Sequence, residues 1–192
     1  MVEHRIFHAT APHPEASSLV AFAQNRLDRQ SENRPDDCLE KALKSEGAHL
    51  YAFARGKLVL KHEEQVLDPL FAAYELAGLE PDFDNAILLG FEPTGEARLA
   101  VPVGIDPETA VDHLKFVDGR ALMREALIGE DLLGEFAQAS SLITWNRASR
   151  FCGKCGATTL SEAGGYRRKC TGCEALYFPR TDPVAIMLTL DV

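Results

Sequence analysis

Cys152-Gly-Lys-Cys155-Gly156, then thirteen residues, then Cys170-Thr-Gly-Cys173: this stretch decides how the chain is built. Two residues between the cysteines of each pair make a tight turn that aims both sulfurs at one point, and two such turns supply four ligands. Gly156 suits a positive φ, which lets backbone N–H groups face sulfur. Between the pairs, Thr158-Thr-Leu and Tyr166-Arg-Arg-Lys read as strands of a short hairpin, with Gly164-Gly165 as its turn. Four sulfurs suit zinc, or iron in a rubredoxin-like site; with no other sign of electron transfer, zinc is the reading. Every ligand position is filled by protein, which leaves no place for a catalytic water. Cys152, Cys155, Cys170 and Cys173 are therefore expected to hold a structural Zn2+.

The rest of the composition bounds the class. The chain has 192 residues, 46% hydrophobic and 26% charged, the profile of a soluble globular protein. It carries no apolar run of bilayer-spanning length. Its first ten residues include Glu3, His4, Arg5 and His8 and no apolar stretch, so they do not read as a secretory signal. A cytoplasmic protein without membrane contact is the expectation. Cys38, the odd cysteine, reads as an inert, partly buried small side chain. The net charge of −9 argues against a surface that binds nucleic acid generally. Between Arg150 and Arg180, however, six basic residues face two acidic ones. They read either as local compensation for a negative metal–thiolate cluster, the favoured reading, or as a nucleic-acid patch.

Working outward towards the N-terminus, residues 11–18 read as a loop and Leu19–Leu27 as a short amphipathic helix. Asp36–Glu46 reads as a helix between Pro35 and Gly47. His49-Leu-Tyr-Ala-Phe and Lys57-Leu-Val-Leu-Lys flank Ala-Arg-Gly as a β-hairpin. A second hairpin joins Ala86–Phe91 to Glu96–Val103 through Glu-Pro-Thr-Gly. Asp106-Pro107 suits a capped helix start. Gly119–Arg147 carries a long helical period, with Gly129 and Gly134 as candidate breaks. On the far side of the cysteines, Val184-Ala-Ile-Met-Leu-Thr-Leu reads as a buried strand. The fold class is α+β, with a mixed or antiparallel sheet followed by a small ribbon. None of the six histidines falls in a cluster, and no carboxylate pair has acid–base spacing.

Taken together, Trp145-Asn-Arg-Ala-Ser-Arg-Phe-Cys-Gly-Lys-Cys-Gly and Tyr177-Phe-Pro-Arg-Thr-Asp-Pro-Val-Ala-Ile resemble the NADH pyrophosphatases of the Nudix hydrolase superfamily. The resemblance implies a Nudix-like N-terminal domain over 1–148, a zinc ribbon over 149–180, and, over 181–192, the first strand of a catalytic Nudix domain. It implies a parent enzyme that cleaves the pyrophosphate of NADH or NAD+ to nicotinamide mononucleotide and AMP, typically as a homodimer, with NAD-capped RNA as a related substrate. Glutamates of the Nudix box would hold Mg2+ or Mn2+ to activate water. That box, G-x5-E-x7-R-E with further glutamates, is missing: Gly119-x5-Glu125 matches only its opening, and Leu133 stands where its arginine belongs. The chain by itself is therefore expected to be non-catalytic.

By motif position, Phe178 matches the family's substrate-contacting aromatic, usually tyrosine. It either stacks on a base or nicotinamide ring, or packs the ribbon against the next domain. Arg180 either meets a phosphate or lies on a solvated face, and Arg120 falls near a basic substrate contact of the family. Trp145 reads as packing. The other function classes the residues allow are a stand-alone zinc-ribbon module that binds RNA or a protein partner, and a dimerisation scaffold.

Overall fold

The computed structural model describes residues 20, 22–30, 34–63, 66–108 and 111–182. The expected loop over 11–18, His4, His8 and the strand from Val184 lie outside them. Strand β1 (His49–Ala54) shows how the sheet is made. Tyr51 and Phe53 enter one core with Leu58, Leu60, Ile87 and Leu89, whereas Leu50, Ala52 and Ala54 enter another with Val59, Leu88 and Leu99. A strand buried on both faces must be apolar at successive positions, which is why β1, β5 (Ile87–Phe91) and β6 (Ala97–Val103) read as nearly continuous apolar runs.

β1 turns into β2 (Lys57–Glu63) through Arg55 and Gly56, both at positive φ (49° and 86°), the backbone of a tight two-residue hairpin. The two strands pair only beside this turn. Farther out, β3 (Val66–Asp68) pairs with β2 and β4 (Leu70–Phe71) with β1. On the other side β1 runs parallel to β6, which pairs antiparallel with β5, while β7 (Leu114–Val117) pairs antiparallel with β2. The sheet is thus mixed. Pro102 sits past the last residue of β6 that pairs with β5, where its missing N–H costs that ladder nothing.

Helices cover both faces. α1 (Cys38–Leu43) and a 3-10 segment (Ala73–Leu79) close one with Cys38, Ala42, Leu76 and Leu79. α2 (Gly119–Arg124) and α3 (Glu130–Ala148) close the other, where the rings of Phe136 and Phe53 stack with centroids 6.1 Å apart. Asp118 accepts hydrogen bonds from the Arg120 and Ala121 N–H groups and so starts α2.

Three expectations are corrected. The long helical stretch does break, between Arg124 and Glu130 with Gly129 as the N-cap of α3, but Gly134 is no break: it lies inside α3, where the helix meets the Asn25 backbone. Asp106 makes a turn, not a helix start: it accepts from Glu108 N–H and pairs with Arg55, and by Leu114 the chain is in β7 because alternate apolar residues there match β2. Of the helix expected over 19–27, the described residues form only a turn at 22–24; Asn25 Oδ1 then captures Leu27 N–H, and Asp28 pairs with Phe91. Satisfying backbone groups at the sheet edge outweighs a short helix of marginal intrinsic stability. No helix among the described residues is long and apolar enough to cross a membrane.

Candidate metal centre and adjoining cavity

The expected hairpin is present. β8 (Thr159–Glu162) and β9 (Arg167–Cys170) pair in antiparallel register, joined through Ala163–Gly165, and β10 (Leu176–Tyr177) adds to the other edge of β9. Its open end carries both cysteine turns, and they are near copies. Cys152 N–H bonds Ala157 O and Gly156 N–H bonds Cys152 O; Cys170 N–H bonds Ala175 O and Glu174 N–H bonds Cys170 O. Lys154 N–H approaches the Cys152 sulfur at 3.4 Å, and Gly172 N–H the Cys170 sulfur at 3.3 Å. Gly156 has φ 76°, as its position predicted, and the matching residue of the second turn is Glu174 at φ 57°.

The four sulfurs lie within 4.8 Å of one another, with Cys155–Cys170 at 3.4 Å and Cys152–Cys173 at 3.6 Å. Zinc–sulfur bonds of about 2.3 Å put tetrahedral sulfurs roughly 3.8 Å apart, so the quartet fits a zinc ion. The electrostatics agree. The Tyr177 hydroxyl, 3.0 Å from Cys152 Sγ, is the main reason that this thiol is held down at about 5. For Cys155 the Ala157 N–H pulls downward, but three neighbouring sulfurs together push it up to about 12. Four sulfurs this close ionise together only around a cation, which a divalent ion supplies. Closed to further ligands, the centre holds the hairpin together and leaves no open position for chemistry. Tyr177 was missed in the sequence, where only its place in the aromatic-Pro-Arg motif drew notice.

The opposite end of the ribbon rests on the sheet domain. Arg168, 3% exposed, donates to Thr159 Oγ1 (2.7 Å), Thr159 O (2.8 Å) and Asn146 Oδ1 of α3 (2.9 Å). Asn146 in turn donates to Gly165 O at 2.9 Å and Leu142 O at 3.1 Å. Burial lowers the Arg168 pKa, and neutral oxygens take its N–H groups in place of a carboxylate. The remaining basic cluster is largely compensated: Arg167 pairs with Glu162, Lys169 with Glu174 and Arg180 with Asp182. Cys38 is buried below the ribbon tip, with burial raising its pKa, in keeping with an inert thiol.

Between α3, the positions of Phe22, Arg29 and Arg34, and the ribbon exit lies a cavity of about 860 Å³. Trp145, half-buried, and Phe178, 60% exposed, belong to its wall, together with Arg29, Arg34 and Arg180. Arg120 lines a neighbouring cavity that shares Phe22, Ala137 and Ser141 with the first. Phe178 and Arg120 thus face one side of the molecule without lining the same cavity. The sequence did not connect Trp145 or Arg29 to such a site, because residues over a hundred positions apart in the chain meet there.

Comparison with known proteins matches this architecture part by part. Residues 47–145 match the NADH pyrophosphatase-like rudimentary Nudix domain, and residues 147–178 the NADH pyrophosphatase zinc ribbon domain. The chain is 27% identical over 175 residues to the human mitochondrial NAD(P)H pyrophosphatase NUDT13, covering 81% of this chain and 49% of that protein. It is 40% identical over 98 residues to the human NAD-capped RNA hydrolase NUDT12, covering 44% and 21%. It is 38% identical over 94 residues to the chloroplastic Nudix hydrolase 19 of Arabidopsis thaliana, covering 46% and 22%. The chain spans half or less of the length of these curated relatives. Both domain matches fall in chain order on the sheet and on the cysteine hairpin, and the first alone covers more than half of the chain, which therefore belongs to the NADH pyrophosphatase-like Nudix family.

Proposed function

We propose that this chain is the N-terminal and zinc-ribbon portion of a Nudix hydrolase that cleaves the pyrophosphate of NADH or NAD+ to nicotinamide mononucleotide and AMP. The observation that carries the reading is the paired family match, rudimentary Nudix domain then ribbon, in that order. Relatives named as an NAD(P)H pyrophosphatase and an NAD-capped RNA hydrolase support both the dinucleotide and the capped RNA as substrates. In this reading 1–148 is the Nudix-like domain, 149–180 the ribbon, and 181–192 the start of the catalytic domain. Cys152, Cys155, Cys170 and Cys173 ligate the zinc.

Catalysis belongs to a Nudix box absent from these 192 residues, where glutamates would hold Mg2+ or Mn2+. The chain contributes scaffold, the contact between two copies of a homodimer, and a substrate wall that includes Phe178, with Arg120 as a further contact. The protein works in the cytoplasm. The ion pairs of Arg167, Lys169 and Arg180 with carboxylates weigh against a broad nucleic-acid surface. The test is to read the coding sequence beyond Val192, express the longer protein and separate its products from NADH with Mg2+ or Mn2+. Nicotinamide mononucleotide and AMP from the longer protein, with no turnover by the 192-residue chain, is the expected result. A stop codon after Val192, or a box-bearing protein that leaves NADH intact, would overturn the reading.

A further inference from the structure

Tyr177 is the last residue of β10, an edge strand of two residues that pairs Leu176 with Lys169 and Tyr177 with Arg168. So short a pairing holds an edge only marginally. A second hold comes from the side chain. The Tyr177 hydroxyl lies 3.0 Å from the sulfur of Cys152, a residue only 3% exposed. The other donors to these sulfurs are backbone N–H groups of the cysteine turns themselves. Lys154 N–H approaches Cys152 at 3.4 Å, and the Gly172 and Cys173 N–H groups approach Cys170 at 3.3 and 3.4 Å. Among the described residues, Tyr177 is thus the one side chain from outside the two turns that donates to the quartet. It stands opposite Arg168, which holds Asn146 of α3 at 2.9 Å. The next residue is Phe178, whose ring is 60% exposed. A ring that open is placed by its backbone more than by its neighbours.

We propose that Tyr177 is a positioning residue: its hydroxyl donates to the metal-bound sulfur of Cys152 and so ties the ribbon exit, and with it Phe178, to occupancy of the zinc site. A hydrogen bond to a charged acceptor is stronger than one to a neutral acceptor, and a donor outside the ligand set orients the ligand it touches. The coupling is reciprocal: zinc holds the exit strand, and the exit strand strengthens the hold on zinc. The proposal rests on the reading of Phe178 as part of a substrate wall. Its test requires no turnover, so the proposed hydrolase activity and this coupling can fail separately.

Tyr177→Phe keeps the ring and removes only the hydroxyl. Leu176→Ala is the control, a change in the same strand at an exposed side chain. The 192-residue protein and both variants are loaded with Co2+, whose sulfur-to-metal charge-transfer band reports on the thiolates, and with Zn2+ for competition against a chelator. Tyr177→Phe is expected to move the band to longer wavelength, because a thiolate that loses a hydrogen bond gives up an electron more easily. Zinc affinity is expected to fall about tenfold. In the zinc-loaded variant, amide exchange at Leu176–Phe178 should quicken while Arg168 keeps its protection. Leu176→Ala should retain the parent's band and affinity. A parent-like band and affinity in Tyr177→Phe overturn the proposal. So does exchange at Leu176–Phe178 that is the same in this variant and the parent. If Leu176→Ala reproduces the losses, packing of the edge strand accounts for them and the hydroxyl has no such role.

Discussion

Glu174 carries the backbone conformation that glycine carries in the matching turn: φ is 57° at Glu174 and 76° at Gly156. A β-carbon in that region costs free energy that glycine avoids, and the ion pair that Glu174 makes with Lys169 at 3.2 Å is exposed and worth little. Glu174→Gly is therefore expected to stabilise the zinc-loaded protein by about 0.5–1 kcal/mol. A urea midpoint that falls instead would show that the turn is not under this strain. Arg168 presents the opposite situation. Removing its side chain strips buried acceptors on Thr159 and Asn146 of their donors, so Arg168→Ala is expected to cost about 2–4 kcal/mol. Arg168→Lys should recover little of this, because an ammonium cannot reproduce the planar fork. A loss under about 0.5 kcal/mol for either variant in the same denaturation assay would dismiss Arg168 as the lock between ribbon and helix.

At the scale of the element, α3 is read best through Gly134 and Glu135. A β-carbon at Gly134 would stand 2.7 Å from Asn25 N and 3.0 Å from Asn25 Cα, both backbone atoms. Gly134→Ala should thus destabilise by about 1–3 kcal/mol, although alanine is the better helix former by about 1 kcal/mol. The sign of the change in denaturation midpoint decides between close packing and propensity. Glu135 is 4% exposed and receives the Tyr51 hydroxyl at 2.8 Å, with Arg98 Nε at 3.5 Å. Burial raises its pKa, and Tyr51 and Arg98 only partly pull it back. A carboxyl whose folded pKa lies above its unfolded value of about 4.3 favours the fold while both states are protonated, and that contribution fades as pH rises through the folded pKa. The stability of Glu135→Gln relative to the parent should therefore climb as pH rises from about 4, and a pH-independent difference would contradict the assignment.

For the whole molecule, the two ends of the ribbon are held by different forces. The cysteine turns rely on the metal, whereas the tip is pinned by Asn146 and Arg168 and by Gly164 and Gly165 packed on Leu88 and Ile87. A hairpin this short has little core of its own, so zinc removal by a chelator should strip amide protection across residues 150–180. The loss is expected to be largest at Cys152–Thr158 and Thr171–Tyr177 and smallest at Arg167 and Arg168, while β1 and β6 stay protected. Hydrogen exchange with and without chelator reads this out; unchanged protection of the cysteine turns would refute a structural metal.

Much of this design is local and was therefore visible in the chain. The cysteine spacing, Gly156, the Gly164-Gly165 turn and the Ala-Arg-Gly hairpin each depend on the backbone preferences of a few adjacent residues, and each appears where those preferences put it. The Nudix resemblance rested on the same ribbon, together with the aromatic-Pro-Arg motif at its exit. What the sequence could not express is pairing across distance. The non-helical path of residues 25–28 is dictated by β5 and α3, and the strand at Leu114 by β2. The burial of Arg168 and the meeting of Arg29 with Trp145 come from surfaces brought together only after the sheet has formed. Short-range torsional and ligand preferences are written residue by residue; buried hydrogen-bond satisfaction and cavity shape are properties of the packed whole, and only the tertiary structure decided them.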